Sequence, residues 1–372
     1  MGEPVMCKAA VLTGVGTPLE VRDDVELAPP GPGEVRIQVG ASGVCHSDLS
    51  VQNGTIPLPT PIVLGHEGAG TVVEIGEGVT NVAVGDHVVC SFVPNCGECY
   101  FCTRGQGYLC ERSGMAMLGG LLDGTTRLTS QGAPLHQMAM LGTFGEEAIV
   151  PAISVVKIDP SIPLKVAALI GCGVLTGVGA AMNTASIREG DTVAVIGCGG
   201  VGLNVIQGAK IAGAGEIVAI DMFDTKLEMA EQFGATRTVK AGEQDPAAVI
   251  TEATGGRLAD TVFEVIGIKD TMLQALSLTR QGGEAIFVGV PRMDVILELP
   301  AALEFLYLNK TIKGCWYGSA NVNDDVPKLL GLYQEGALKL DELISREIGV
   351  EDVNEAFAAM QSGEVARSVI TY

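Results

Sequence analysis

The sequence predicts an α/β protein of two domains, one mainly β and one built on a doubly wound parallel sheet. Three observations carry that expectation. Residues 1 to about 90 break into short alternating strands punctuated by Gly/Pro turns. After about residue 174, short apolar β-branched runs alternate with helical stretches. After about residue 316 the chain returns to mixed helix and strand, which suggests that the first domain is completed by the C-terminus. At 372 residues, two domains are also the starting expectation from length. The predicted boundaries are 1–173, 174–316 and 317–372.

In chain order, CKAAVL and LEVRDDVEL read as strands, APPGPGE as a turn, and VRIQVGASGVC as a further strand. The alternation in VRIQV and GTVVEIG fits strands with one buried face. TVAVIG, IVAIDM, TVFEVIG and EAIFVGV are apolar throughout, as strands covered on both faces are. Between them VGLNVIQGAKIAGA and KLEMAEQFGA read as helices, giving the strand–helix alternation of a parallel sheet.

Composition narrows the function. A net charge of -21 argues against binding nucleic acid or an anionic membrane surface. Fifty glycines and 47% hydrophobic residues indicate a compact enzyme with many tight turns. MGEPVMCKAAVL has no charged segment leading into an apolar one, and no apolar run is read as long enough to span a bilayer, so a reducing cytoplasm is expected.

PNCGECYFCTRGQGYLC places Cys96, Cys99, Cys102 and Cys110 within fifteen positions. A disulfide-stapled loop and a metal site both explain such a cluster. The expected compartment and the C-x2-C spacing favour zinc, with Gly97 supplying flexibility between the first two ligands. Four thiolates leave no open position, so this zinc would be structural.

A second signal lies in TVAVIGCGGVGLNVIQGAKIAGAGEIVAID. Gly197, Gly199 and Gly202 form G-x-G-x-x-G after an apolar strand and at the start of a helix, and Asp221 follows Gly202 by 19 residues. Glycines here let a pyrophosphate approach the backbone and the helix N-terminus, and the carboxylate would accept from ribose hydroxyls. A 2'-phosphate would be repelled, so NAD is expected over NADP. A glycine-rich turn without a ligand is the plainer alternative.

Cys45, His66 and Cys172 are far apart in sequence, and each alone has an ordinary explanation in burial or surface pairing. His46, His87 and His136, and Cys7, Cys90, Cys198 and Cys315, read as structural or surface residues. Together, two thiolates and one imidazole would leave a fourth zinc position open, the catalytic arrangement.

These features occur in one order: GHEGAGTVVEIGEGV, GDHVV, the four-cysteine loop, IGCGVLTG and the glycine motif. In this the chain resembles the zinc-dependent medium-chain alcohol dehydrogenases over essentially its full length. The resemblance implies a GroES-like catalytic domain and a Rossmann domain with the active site in the cleft between them. It also implies two zinc ions per chain, held catalytically by Cys45, His66 and Cys172 and structurally by the four clustered cysteines. Asp48 would orient the zinc histidine, and Glu67 would be a buried acid behind the metal with Arg367 as partner. Cofactor contacts would come from His46, Thr176, Gly197, Gly199, Gly200, Val201, Gly202, Asp221, Lys226, Val288, Val290 and Arg367. Ser47 would pass the substrate proton outward, and Ser50 stands where many liver-type relatives have a histidine.

The long segment between Cys110 and Cys172 resembles the liver-type, usually dimeric, branch. CSFVPNCGECYFC and LGTFGEEAIV also resemble the actinobacterial nicotinoprotein alcohol dehydrogenases, which keep NAD bound and use an external electron acceptor. Whether the cofactor leaves on each turnover stays open. Phe92, Ile56, Met115, Met140, Val290 and Trp316 fall where the family lines its pocket, which suits primary aliphatic, allylic or aromatic alcohols and their aldehydes. Core packing explains each of the six equally well. A thiol-dependent formaldehyde dehydrogenase is the alternative within the family, but Thr55, Ile56, Pro57 and Gly114 stand near where its acidic residue and arginine are expected. A zinc-free binding protein or quinone reductase relative would lack the ligand cysteines, and all seven candidate ligands are present here.

Overall fold

A computed structural model describes residues 3–362 and 367–372. The chain divides into two compact units, Met1–Cys172 with Asn321–Tyr372, and Gly173–Ala320. The sequence placed the return to the first unit after Trp316. Residues 317–320 instead stay with the second, where Tyr317 and Ala320 are buried, Asn183 donates to the Gly318 carbonyl at 3.2 Å and the Thr184 and Ser319 hydroxyls lie 2.8 Å apart.

The first unit holds two β structures. A closed barrel runs through Val5–Leu12, Glu20–Leu27, Leu128–Ser130, Ala133–Gln137 and Ile62–Val63. A seven-stranded sheet has the order Val155–Ile158, His87–Cys90, Glu67–Ile75, Glu34–Val44, Arg367–Thr371, Ile344–Ile348, with Glu147–Pro151 also pairing to Glu34–Val44. Strand Glu34–Val44 organises this sheet. Its Val35, Ile37 and Val39 are buried while Gln38 is exposed, the period of two read in VRIQV. Its end sets the register of the site: Gly43 pairs with Glu67, and Val44 pairs with Ser368, the residue after Arg367. Residues 128–158, read only as a long segment, supply four strands here, because short runs with Gly, Pro and polar neighbours carry weak strand signals.

The second unit is a six-stranded sheet in the order Arg237–Lys240, Glu216–Asp221, Thr192–Ile196, Ala259–Glu264, Thr279–Phe287, Thr311–Gly314. Every pairing is parallel. The order reverses beside Thr192–Ile196, and that switch point opens a crevice at the carboxyl ends of the strands. Val193, Ala194 and Val195 are fully buried, as the unbroken apolar run requires.

One sequence expectation is corrected. Leu164–Thr184 is a helical run of 21 residues, long and apolar enough by length and composition to cross a membrane. A core helix has the same length and composition, and 83% of the most apolar stretch of this one is buried within the protein. The helix is also interrupted by π turns at Ile170–Val174 and Ala180–Thr184.

Candidate active site

Cys45 sits between the strand end Val44 and the short helix His46–Gln52. Its N–H donates to Asp48 Oδ2 at 2.9 Å, so the residue three positions into the helix holds the cap. The other oxygen of Asp48 accepts from the Gly65 N–H at 3.1 Å and lies 2.9 Å from His66 Nδ1. One fully buried carboxylate therefore ties Cys45 to His66 across 21 positions of sequence. Because Nδ1 is taken, Nε2 is the ring nitrogen left to face the site, and it is buried without a hydrogen-bond partner. Gly65 makes this turn at φ +92°, and a Cβ there would stand 2.5 Å from the Phe144 backbone nitrogen.

Cys172 arrives from the π turn Ile170–Val174. The extra residue of a π turn re-aims a side chain without ending the helix, and such turns recur at functional sites. Sγ of Cys45 and Cys172, a ring nitrogen of His66 and a carboxylate oxygen of Glu67 all lie within 4.8 Å of one another, and all four residues are buried. Glu67 Oε1 accepts from Arg367 at 3.0 Å, while Oε2 has no partner. Gly43, its cross-strand neighbour, leaves the room: a Cβ there would lie 2.2 Å from Glu67 Oε2.

The electrostatics suit a bound cation. Burial pushes the Glu67 carboxyl up to about 8, against the pull of Arg367. Burial opposes charge on Arg367 and His66 most strongly, but Glu67, Cys45 and Cys172 together outweigh it for the first and Asp48 with Cys45 for the second, so both are held above their ordinary values. The contact with Cys172 holds Cys45 well below the ordinary thiol value and raises Cys172. Cys7 and Cys90, outside the site, are pushed up to about 12 by burial and remain thiols. Two soft sulfurs, an imidazole nitrogen with no partner and a nearby unpartnered carboxylate oxygen fit a zinc ion.

The four-cysteine loop shows the same fit. All ten cysteines are free, so no disulfide staples it. The four sulfurs lie within 4.8 Å of one another, and Cys96 Sγ is 3.9 Å from Cys102 Sγ. A tetrahedron with Zn–S bonds near 2.3 Å has edges of about 3.8 Å. Backbone amides point at the sulfurs: Cys99 N–H to Cys96 Sγ at 3.4 Å and Cys102 N–H to Cys99 Sγ at 3.5 Å. Donation from the Cys102 and Glu111 amides lowers the Cys99 thiol to about 6.

In the second unit, Gly197 turns out of its strand at φ +95°, and Gly199 caps the helix Gly200–Ile211 with open space where a Cβ would be. Gly202 packs against the Gly197 carbonyl, 1.9 Å from where its Cβ would stand. The carboxylate of Asp221 accepts from the Cys198 N–H at 2.8 Å and the Phe223 N–H at 3.1 Å, which fixes it beside the glycine turn. Lys226 Nζ lies 4.9 Å from the Phe223 ring centre. Thr176 and Val201 are half-buried, Val288 is buried and Val290 is exposed.

Several expected roles meet a different environment. Met140 is fully buried in the barrel cluster with Leu121, Leu135 and Ile149, and is a packing residue. Arg367 is enclosed, with Glu67 and the Val44 carbonyl as its acceptors. Ile56 and Met115 are half-buried against core clusters, and Trp316 is exposed. Phe92 is placed against a site residue, edge to face on His66 with the ring centres 5.7 Å apart. The roles of Gly43 and Gly65 were missed, since a glycine required by close approach reads like any turn glycine.

Comparison with known proteins settles the family. Residues 31–160 match the alcohol dehydrogenase GroES-like domain and residues 200–335 the zinc-binding dehydrogenase family. The NDMA-dependent alcohol dehydrogenase of Amycolatopsis methanolica is 41% identical over 368 residues, 98% of each chain. The chain belongs to the zinc-binding alcohol dehydrogenases. The solved benzyl alcohol dehydrogenase of Acinetobacter calcoaceticus superposes on this dehydrogenase with TM-score 0.93 and 30% identity, covering 99% of both chains. A zinc-binding dehydrogenase structure from Sinorhizobium meliloti 1021, bound to NADP, gives TM-score 0.80 and 26% identity over 99% and 100% of the two chains. The fold is accordingly GroES-like plus Rossmann, and the protein is an oxidoreductase that uses zinc and a nicotinamide cofactor on small alcohols or aldehydes.

Proposed function

We propose that this alcohol dehydrogenase oxidises primary alcohols of apolar character to aldehydes, reversibly, with NAD as hydride acceptor. The carrying observation is the buried set of Cys45, His66 and Cys172, held by Asp48 with His66 Nε2 turned to the site and unpartnered. Zinc bound there would favour loss of the hydroxyl proton of an alcohol at neutral pH. Asp48 keeps the imidazole in the tautomer that presents Nε2. Phe92, edge-on to His66, supplies an apolar wall suited to an aliphatic, allylic or aromatic substituent. Ser47, half-buried with its hydroxyl 3.9 Å from Cys45 Sγ, takes the substrate proton and passes it outward. Asp221 supports NAD, because a 2'-phosphate would meet its carboxylate. The four-cysteine loop takes the second, structural zinc.

A second reading of the cofactor is favoured by the NDMA-dependent relative. In that reading NAD stays bound and a second substrate or external acceptor regenerates it. The exposed side chains Met293, Ile296, Leu306 and Tyr307, which precede the sheet-edge strand Thr311–Gly314 in sequence, support association with a second copy into a dimer. Ten unpaired thiols suit the cytoplasm. Native mass spectrometry of purified protein reports zinc per chain, retained nucleotide and subunit number together. Two zincs, one of them lost in Cys45→Ser along with alcohol oxidation, are expected. Zinc-free protein that oxidises alcohols would overturn the reading.

A further inference from the structure

Glu264 ends the central strand Ala259–Glu264 and is fully buried, yet it is no part of either metal cluster. Its Oε1 accepts three bonds, from the Ile266 N–H at 2.9 Å, the Gly267 N–H at 2.8 Å and the Thr271 hydroxyl at 2.7 Å. Oε2 has no hydrogen-bond partner. The main-chain carbonyl of the same residue accepts from the Val288 and Gly289 N–H groups at 2.8 and 3.0 Å. One residue thus fastens two separate loops at the carboxyl edge of the sheet, the first through its side chain and the second through its backbone.

The two loops are stacked without slack. A Cβ on Gly289 would stand 2.2 Å from the Gly267 nitrogen, and one on Gly267 would stand 2.5 Å from the Val290 carbonyl oxygen. The first loop also covers the dinucleotide turn, where Ile266 Cγ1 would lie 2.7 Å from a Cβ on Gly197. Val265 N–H donates to the Ile196 carbonyl at 2.9 Å, on the strand that ends in that turn. Ile266 and Val290 nevertheless stay about half exposed, at 47% and 54%, on the edge of the sheet where open α/β folds bind ligands.

We infer that Glu264 is a positioning residue for the nicotinamide cofactor. It sets Ile266 and Val290, the apolar side chains of the two loops, at a fixed distance from the Gly197 turn without touching the cofactor itself. This rests on the reading that the glycine turn and the Val288–Val290 loop receive NAD. The work requires one acceptor oxygen at full side-chain length. A glutamine keeps that oxygen and puts its amide where Oε2 has no partner, whereas an aspartate is one methylene too short to reach both loop amides.

The test is the rate at which NADH leaves the zinc-loaded enzyme, followed by its fluorescence on mixing with excess NAD. It applies whether the cofactor exchanges readily or is retained. Glu264→Asp should release NADH about tenfold faster or more, the scale of one or two weakened buried hydrogen bonds. Glu264→Gln should stay within about threefold of wild type by the same reasoning. Zinc content should be unchanged in both. Should Glu264→Asp fail to fold, Thr271→Val removes one of the three donors and should still speed release by roughly threefold. A purely structural role would lower the thermal midpoint and leave the release rate of the folded enzyme alone. Unchanged release in Glu264→Asp or, if that variant does not fold, in Thr271→Val, or a Glu264→Gln rate as fast as the Glu264→Asp rate, overturns the inference. Wild-type enzyme that binds no NADH would instead defeat the cofactor reading beneath it.

Discussion

A single side chain, Asp48, does most of the local construction at the candidate zinc site. It accepts from Cys45 and Gly65 backbone amides and from the His66 ring. Asp48→Asn replaces one acceptor oxygen with a donor, which must face an N–H whichever way the amide turns. Zinc affinity at this site should fall by about 10- to 100-fold, the usual effect of losing a partner of a metal histidine. A chelator competition titration reads this directly, and the four-cysteine zinc serves as an internal control that should not move. Ser47 belongs to the same scale. Ser47→Ala should lower hydride-transfer turnover by roughly 10² or more, as loss of a general acid–base group does. Zinc content should hold. Ser50 cannot hold a proton near neutrality, so the wild type should lack a titration there. Ser50→His should add one near pH ~6.5, with the rate rising as the imidazole loses its proton and becomes able to accept. A pH–rate profile with a deuterated alcohol checks both, and an unaffected Ser47→Ala would remove the serine from the proton path.

Elements differ in how plainly they can be read from sequence. The glycine turn and Asp221 were legible because strand, turn, helix and second strand each leave their own signature and the order is informative. Asp221 is fixed by the Cys198 and Phe223 amides, so in the proposed ribose role its carboxylate would meet a 2'-phosphate without rearrangement. Wild type should prefer NAD over NADP by at least ~10²-fold, the scale of a charge repulsion at a half-buried carboxylate plus two lost hydrogen bonds. Asp221→Gly should narrow the gap. The kcat/KM ratio for the two cofactors measures it, and equal use by wild type would contradict the ribose role. Other elements were illegible for physical reasons. Met140 could have lined a pocket or filled a core, since both demand the same apolar side chain, and only the closed barrel decides. The barrel depends on pairing Glu20–Leu27 with Leu128–Ser130, about a hundred residues on, which no local pattern reports. Glu264 is one of 44 acidic residues, and two of the three donors to its carboxylate are backbone amides, which no residue type announces.

At the scale of the whole molecule, the metal sites and the dinucleotide site fall in different units. Both cysteine-containing clusters lie in Met1–Cys172, whereas the glycine turn and Asp221 lie in Gly173–Ala320. Each unit has its own buried core, so a ligand should act first on the unit that holds it. The four-cysteine loop contains short 3-10 turns that bury no large apolar side chain, so a metal held there would supply much of its folding free energy. Cys99→Ser should therefore lose one of two zincs and loosen residues 94–118, while the parallel sheet of the second unit stays protected. Saturating NADH at about 100 times its Kd should do the converse, adding up to about 2.7 kcal/mol of linkage stabilisation to openings that release it. Those openings expose Thr192–Ile196, Glu216–Asp221 and Ala259–Glu264, but not the cysteine loop. Amide hydrogen exchange read by mass spectrometry separates the two effects segment by segment. Faster exchange in the second unit's strands equal to that in the loop, on loss of the Cys99 zinc, would show that the units do not open separately. Two zincs retained by Cys99→Ser would remove the structural-site assignment itself.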